Sequence, residues 1–289
     1  MDFGRLLTAM VTPFNEKGEV DLPALEPLIE HLLSTGTEGI VAGGTTGESP
    51  TLSTEEKMSL FKRVKEITGS RAQVIAGTGT NDTAYSVFLT EKAASLGVDG
   101  IMAVTPYYNK PNQKGMYHHF KSIAEACTLP LMIYNIPGRC IVNLEADTLI
   151  QLTKIPNITA VKESSGDLEQ VAAVVENSPD EFHVYSGDDS LTIPLMSVGG
   201  TGVVSVASHL IGNEMRQMID HFVHGNVQAA SQAHRQLLPK MNACFSAPNP
   251  VPLKALLARL GLIANCTRSP LLPLSDSETK ELADTFHLA

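Results

Sequence analysis

Lys162 closes an apolar run, Ile158-Thr159-Ala160-Val161-Lys162-Glu163, where a basic side chain is out of keeping with its neighbours. Strand alternation puts Ile158, Ala160, Lys162 and Ser164 on one face and Thr159, Val161 and Glu163 on the other. An ammonium on the inward face of a buried strand is costly unless it is paired or neutral. Two readings follow: a snorkelling or ion-paired lysine, or a lysine desolvated so that its neutral amine attacks a carbonyl. On the second reading Glu163 points away from Lys162 and is not its base. Hydroxyls and one fixed cation accompany it: Thr45 and Thr46 in Gly43-Gly44-Thr45-Thr46-Gly47-Glu48-Ser49, Tyr107 and Tyr108 in a proline-bounded loop, Tyr134, and Arg139 after Pro137-Gly138. Lysine with tyrosine nearby is the combination for Schiff-base chemistry on a ketone or keto acid. A glycosidase-type carboxylate pair, a Cys/His pair and a Ser/His/Asp order are all missing.

Each companion also has a plain reading. The glycine-rich stretch is either a turn needing positive φ or an anion cradle of N–H groups and hydroxyls. It lacks the Gly-Lys-Ser/Thr of a P-loop, and Gly77-Thr78-Gly79 reads as a turn. Tyr107-Tyr108 is packing, an aromatic lid or a subunit contact. Arg139 is a solvated loop charge or a carboxylate ligand. Asp188-Asp189 reads as a helix cap.

These residues need a scaffold that gathers strand ends. Apolar runs at 6–11, 39–42, 73–76, 100–104, 131–134, 158–163, 183–186 and 202–205 read as strands. Helical spacing follows each, at 22–34, from Ser53 or Thr54, at 82–96, 116–126, 145–152, 168–176, and up to 198. Eight strand–helix units recurring every roughly 25–35 residues predict an α/β fold, a (β/α)8 TIM barrel, over a doubly wound sheet. Its active site lies at the C-terminal strand ends, which selects Thr45, Thr46, Tyr107, Tyr108, Tyr134, Arg139, Lys162, Gly187 and Val204. We assign residues 1–224 to the barrel and 225–289 to a helical extension packed on it. Helical pieces at 215–224, 227–244, 253–260 and 278–287 are interrupted by the proline-rich 247–252.

With 289 residues, 43% hydrophobic and 18% charged, the chain reads as a globular protein with ample core. A net charge of −10 argues against non-specific binding to nucleic acid or anionic membrane, yet permits a local cationic pocket. No basic-apolar leader opens the chain and no apolar run approaches the ~18 residues of a membrane span, so a cytoplasmic location is expected. Cys127, Cys140, Cys244 and Cys266 are scattered and read as reduced thiols. No His/Cys/carboxylate cluster has metal-ligand spacing, and no metal is expected.

Gly44-Thr45-Thr46-Gly47-Glu48, Tyr107-Tyr108-Asn109, Tyr134-Asn135-Ile136-Pro137-Gly138-Arg139, Val161-Lys162-Glu163, Gly187-Asp188-Asp189 and the late Pro-Asn-Pro-Val-Pro-Leu-Lys run occur in this order across the chain. Together they resemble the dihydrodipicolinate (4-hydroxy-tetrahydrodipicolinate) synthase family of the N-acetylneuraminate lyase-type class I aldolases. Arg139 after Tyr-Asn-Ile-Pro-Gly favours the synthases over their sister lyases. The resemblance implies that Lys162 forms a Schiff base with pyruvate and that Tyr134 moves protons. Thr45 links Tyr134 to Tyr108, which reaches in from a neighbouring subunit. Thr46 holds the pyruvate carboxylate, Arg139 that of aspartate-4-semialdehyde, and Gly187 and Val204 offer carbonyls. It further implies a homo-oligomer, a tetramer built as a dimer of dimers, and no cofactor beyond the covalent imine. A regulatory cleft at Ser49, Asn81 and Tyr107 is also implied. Here Thr54, Lys57 and Tyr85 stand where lysine-inhibited bacterial members tend to carry His, His and Glu, so inhibition by lysine is expected to be weak or absent. Cys140 replaces a common threonine beside the site. The rival readings are a sister pyruvate aldolase acting on sialic or 2-keto-3-deoxy sugar acids, and a non-catalytic barrel that binds a keto acid.

Overall fold

The computed structural model describes residues 3–288. Strands β1 (Leu6–Ala9), β2 (Gly39–Ala42), β3 (Gln73–Gly77), β4 (Gly100–Val104), β5 (Leu131–Asn135), β6 (Ile158–Glu163), β7 (His183–Ser186) and β8 (Gly202–Ser205) pair in parallel in chain order, and β8 closes on β1. The outer layer is α1 (Leu25–Ser34), α2 (Thr54–Thr68), α3 (Thr83–Ala94), α4 (Gln113–Glu125), the single turn α5 (Pro137–Cys140), α6 (Ala146–Leu152), α7 (Leu168–Asn177), α8 (Thr192–Ser197) and α9 (Ser208–Val223). This is the expected (β/α)8 barrel. Barrel strands are covered on both faces, which is why they read as continuous apolar runs. Leu7, Val41, Ile75, Met102 and Met132 fill the interior, while Leu6, Ile40, Val74, Ile101 and Ile133 pack under the helices.

Local sequence sets several helix starts. Ser53 and Glu56 form a reciprocal capping box on α2, and Asp82, Asn112 and Asp167 cap α3, α4 and α7 through side-chain oxygens. Each cap is worth about 1 kcal/mol. Asn112 starts α4 three residues ahead of the apolar pattern. Three expectations need correction. Ile158 does not share the face of Lys162: it belongs to the outer layer, because β5 and β6 shift register between Leu131–Ile158 and Met132–Ala160. Thr159 is the extra residue absorbed there, and alternation holds only from Ala160 onward. Arg139 stands on a helical turn instead of a loop, since Pro137 begins α5 at a position where its missing N–H is harmless. Past β7 the chain makes a short 3-10 turn at Asp189–Leu191 before α8, so the helix expected there is split.

Beyond the barrel lie α10 (Val227–Ala243), α11 (Val251–Arg259) and α12 (Asp276–Thr285). α9 packs on β1 and α1, and α10 lies along α9. The C-terminal segment is tied to the β2–α2 turn by a buried ion pair, Lys254 Nζ to Glu48 Oε1 at 2.5 Å, with Lys254 wholly inaccessible to solvent. Lys254 also donates to the Cys266 carbonyl at 2.9 Å. Arg268 donates to the Gly18 and Thr51 carbonyls and pairs with Glu56. Both cations lie over the Phe14 ring.

Candidate active site

The C-terminal strand ends surround a cavity of about 220 Å³. The β2–α2 turn supplies Gly43, Gly44, Thr45 and Ser49, β5 supplies Tyr134, and α5 supplies Arg139 and Cys140. Tyr107 and Lys57 complete the outer wall. A larger opening beside it is bounded by Ser164, Gly187, Asp188 and Asn242, and shares Ile136 and Arg139 with the first.

Lys162 stands opposite Tyr134 and Tyr185 in the sheet register. It is 4% exposed, and its Nζ lies 4.2 Å from the centroid of the Tyr134 ring. Burial lowers its pKa from 10.5 to about 8; the Asp189 carboxylate opposes that fall and the Arg139 guanidinium adds to it. The ammonium is thus desolvated without a salt bridge among the described residues, which separates it from the ion-paired Lys254. Gly187 keeps this space open: a Cβ there would meet the Ser164 hydroxyl and come 2.9 Å from Lys162 Cε.

Tyr134 is buried, and desolvation pushes its phenol up to about 12. Thr45 and Ser164 present hydroxyls to it and partly offset that rise, with Arg139 assisting by its charge. Thr46 is buried and accepts a hydrogen bond from Asn249 Nδ2 at 3.0 Å. Val204 sits in the inner layer with Tyr134 and Ala160. Arg139 is solvent-exposed at the mouth of both openings. Cys140 is buried, and its thiol is shifted upward by desolvation, which keeps it an inert wall. Tyr108 is not brought to the cavity of its own chain: it is 87% exposed, with φ 72°. Tyr107 and Ser49 line the cavity, and the Asn81 backbone bonds the Tyr107 hydroxyl. Thr54 and Tyr85 bond to each other at 2.8 Å.

Sequence reasoning misassigned one residue and missed others. Asp188 caps the turn after β7, accepting from Ser190 N–H and Oγ. Asp189 does not cap; it is buried and accepts from Ser205 Oγ and from the Val206 and Ala207 N–H groups, holding the loop after β8 beside Lys162. Glu163 turns outward to Asn135, Gln170 and the Ser165 N–H, as alternation required. Ser164 was detectable, since alternation set it on the face of Lys162. Asn249 and Glu48 act across more than 200 residues of chain and leave no local signal. Among the described residues no group of three His, Cys, Asp or Glu side chains could hold a metal ion.

Known proteins match the chain over nearly its full length. The dihydrodipicolinate synthetase family model matches residues 2–289. A 4-hydroxy-tetrahydrodipicolinate synthase of Halalkalibacterium halodurans is 57% identical over 282 residues, covering 98% of this chain and 97% of that protein. The Bacillus subtilis 4-hydroxy-tetrahydrodipicolinate synthase is 53% identical over 288 residues, covering 99% of each. The crystal structure of dihydrodipicolinate synthase from Bacillus anthracis superposes with a TM-score of 0.97 at 48% identity, covering 100% of this chain and 99% of that one. This chain belongs to the dihydrodipicolinate synthetase family.

Proposed function

We propose that this protein is a 4-hydroxy-tetrahydrodipicolinate synthase, a lyase of the class I aldolase type that condenses pyruvate with aspartate-4-semialdehyde on the way to diaminopimelate and lysine. The observation that carries the reading is Lys162: buried, without a salt bridge, its pKa lowered to about 8 and its amine against the Tyr134 ring.

Neutral Lys162 attacks C2 of pyruvate, and loss of water leaves a protonated imine. That cation withdraws electrons, so C3 gives up a proton and becomes an enamine. The enamine carbon attacks the aldehyde of the second substrate. The semialdehyde's own amine then adds to the imine carbon, expels Lys162 and closes the ring. Tyr134, kept protonated by burial and faced by Thr45, is the proton carrier, a role worth typically 10²–10⁴-fold. Thr46, pinned by Asn249, and the surrounding N–H groups hold the pyruvate carboxylate. Arg139 receives the semialdehyde carboxylate, and Gly187 and Val204 contribute backbone carbonyls. Every electron movement uses the imine, so neither a metal nor an organic cofactor is needed.

Tyr108 extends the Thr45–Tyr134 relay of a neighbouring copy, which requires a dimer and fits a tetramer of two dimers; its exposure in the single chain supports this. No helix of the described residues is long and apolar enough to cross a membrane, and we place the enzyme in the cytoplasm. Borohydride reduction in the presence of pyruvate, followed by peptide mapping, tests the mechanism: one adduct on Lys162 is expected. An adduct elsewhere, or turnover of sugar acids in place of aspartate-4-semialdehyde, would overturn the reading.

A further inference from the structure

The residues that follow the reactive pair are themselves paired. Tyr134 faces Lys162 in the sheet register, and Asn135 faces Glu163 one position on. Alternation turns the second pair outward, between the barrel wall and the helices. Both are buried, and among the described residues no cation pairs with the Glu163 carboxylate. Burial raises its pKa, and donors on Asn135, Ser165 and Gln170 pull the other way. A buried carboxylate without a cation is costly, and here hydrogen bonds alone offset that cost.

The same donors reach the segment that follows Arg139. Asn135 Nδ2 donates to the Glu163 oxygens at 3.0 and 3.1 Å and to Asn143 Oδ1 at 2.8 Å. Asn135 Oδ1 accepts from the Leu144 N–H at 3.0 Å. Gln170, in the first turn of α7, donates to Glu163 Oε2 at 3.1 Å and to the Leu144 carbonyl at 3.3 Å, and accepts from Asn143 Nδ2 at 2.8 Å. Gln113, at the start of α4, donates to the Asn143 carbonyl and accepts from the Glu145 N–H. Successive backbone groups from the Asn143 carbonyl to the Glu145 N–H are thereby fixed.

Arg139 lies between this segment and β5, on a single helical turn without a side-chain cap, and the chain leaves that turn through Ile141 at φ 69°. Its guanidinium makes no hydrogen bond or ion pair among the described residues, so the backbone aims it. Lys162 and Tyr134 are held instead by the ladder of the barrel. We propose that Asn135, Glu163, Asn143 and Gln170 are positioning residues: they clasp the segment after α5 to the ends of β5 and β6, and so aim Arg139 at the carboxylate of the second substrate. That carboxylate's place at Arg139 rests on the reaction proposed above. Glu163 suits the centre of the clasp because an ionised carboxylate only accepts, and N–H donors converge on it from β5, α7 and its own loop. Glu163→Gln would turn an amide donor against them.

The test uses the full-length enzyme carrying Gln170→Met, a change at a half-buried residue that lines neither opening. KM for aspartate-4-semialdehyde should rise about tenfold, within the ~10²-fold that a displacement of ~1 Å costs. The pyruvate concentration that half-saturates borohydride trapping on Lys162 should stay at the wild-type value. Asn143→Ala should give the same split. In the double variant Gln170→Met/Arg139→Met, KM for the semialdehyde should match that of Arg139→Met alone, because both changes act through one guanidinium. Hydrogen exchange at residues 138–145 should quicken in Gln170→Met while β5 and β6 keep the wild-type rates. Equal losses for both substrates, additive effects in the double variant, or unaltered exchange at 138–145 would each overturn the proposal. An Arg139→Met enzyme with the wild-type KM for the semialdehyde would sink the role given to Arg139 in the reaction, and exchange at 138–145 would still decide whether the clasp holds its turn.

Discussion

Replacing Lys162 with Met should abolish imine trapping and, at neutral pH, make the protein more stable. The free-chain pKa is 10.5 and the folded value about 8, which disfavours the charged form in the fold by about 3 kcal/mol. In the unfolded chain the amine holds its proton up to about 10.5, while the folded chain releases it above about 8. Between those values the unfolded state binds more protons, so wild-type stability gains from rising pH. Below about 8 the penalty is fully present, and by about 10.5 it has gone. Methionine has similar length and no charge, and Asp189 keeps its three hydrogen-bond donors when Lys162 is removed. Urea unfolding of both proteins at pH 7 and pH 10 measures the effect. The variant should lead by about 3 kcal/mol at pH 7, and most of that lead should vanish at pH 10. A stability difference that is the same at both pH values would show that Lys162 is not desolvated as described.

The same shift predicts that single-turnover imine formation with pyruvate climbs about tenfold per pH unit below 8 and levels off above it; continued climbing through pH 10 would mean an ordinary lysine. Tyr134→Phe should slow turnover by about 10²–10⁴-fold with little change in folding, read from kcat beside the melting temperature. Lys254→Met strands the buried Glu48 carboxylate and should destabilise by about 3–5 kcal/mol in urea unfolding. It should also raise KM for pyruvate, because Glu48 belongs to the turn that carries Thr45 and Thr46. Lysine should inhibit weakly or not at all, since Lys57 presents a cation to the cleft; half-maximal inhibition well below a millimolar would contradict this.

Legibility followed the range of the interactions involved. The barrel could be read because each strand is short, covered on both faces and punctuated by a turn, so composition alone separates strand from helix at β2, β4, β7 and β8. Caps act within three residues and are legible at Ser53; at Asn112 the cap starts the helix ahead of the apolar pattern. At β6 alternation identified the face of Lys162 and turned Glu163 outward, but it misplaced Ile158. A register shift depends on the neighbouring strand, which no single-strand pattern contains.

The sequence by itself determined the fold class, the strand ends and the chemical types offered there: one lysine, hydroxyls and an arginine. Only the tertiary structure decided their states. No local sequence pattern tells an ammonium paired with a carboxylate from one facing an aromatic ring, and the described residues hold both kinds, Lys254 against Glu48 and Lys162 against Tyr134. Desolvation and Coulomb terms depend on every atom nearby, and those atoms come from strands far apart in the chain. The role of Asp189 and the Asn249 contact with Thr46 arise from that convergence, which exists only once the barrel has closed.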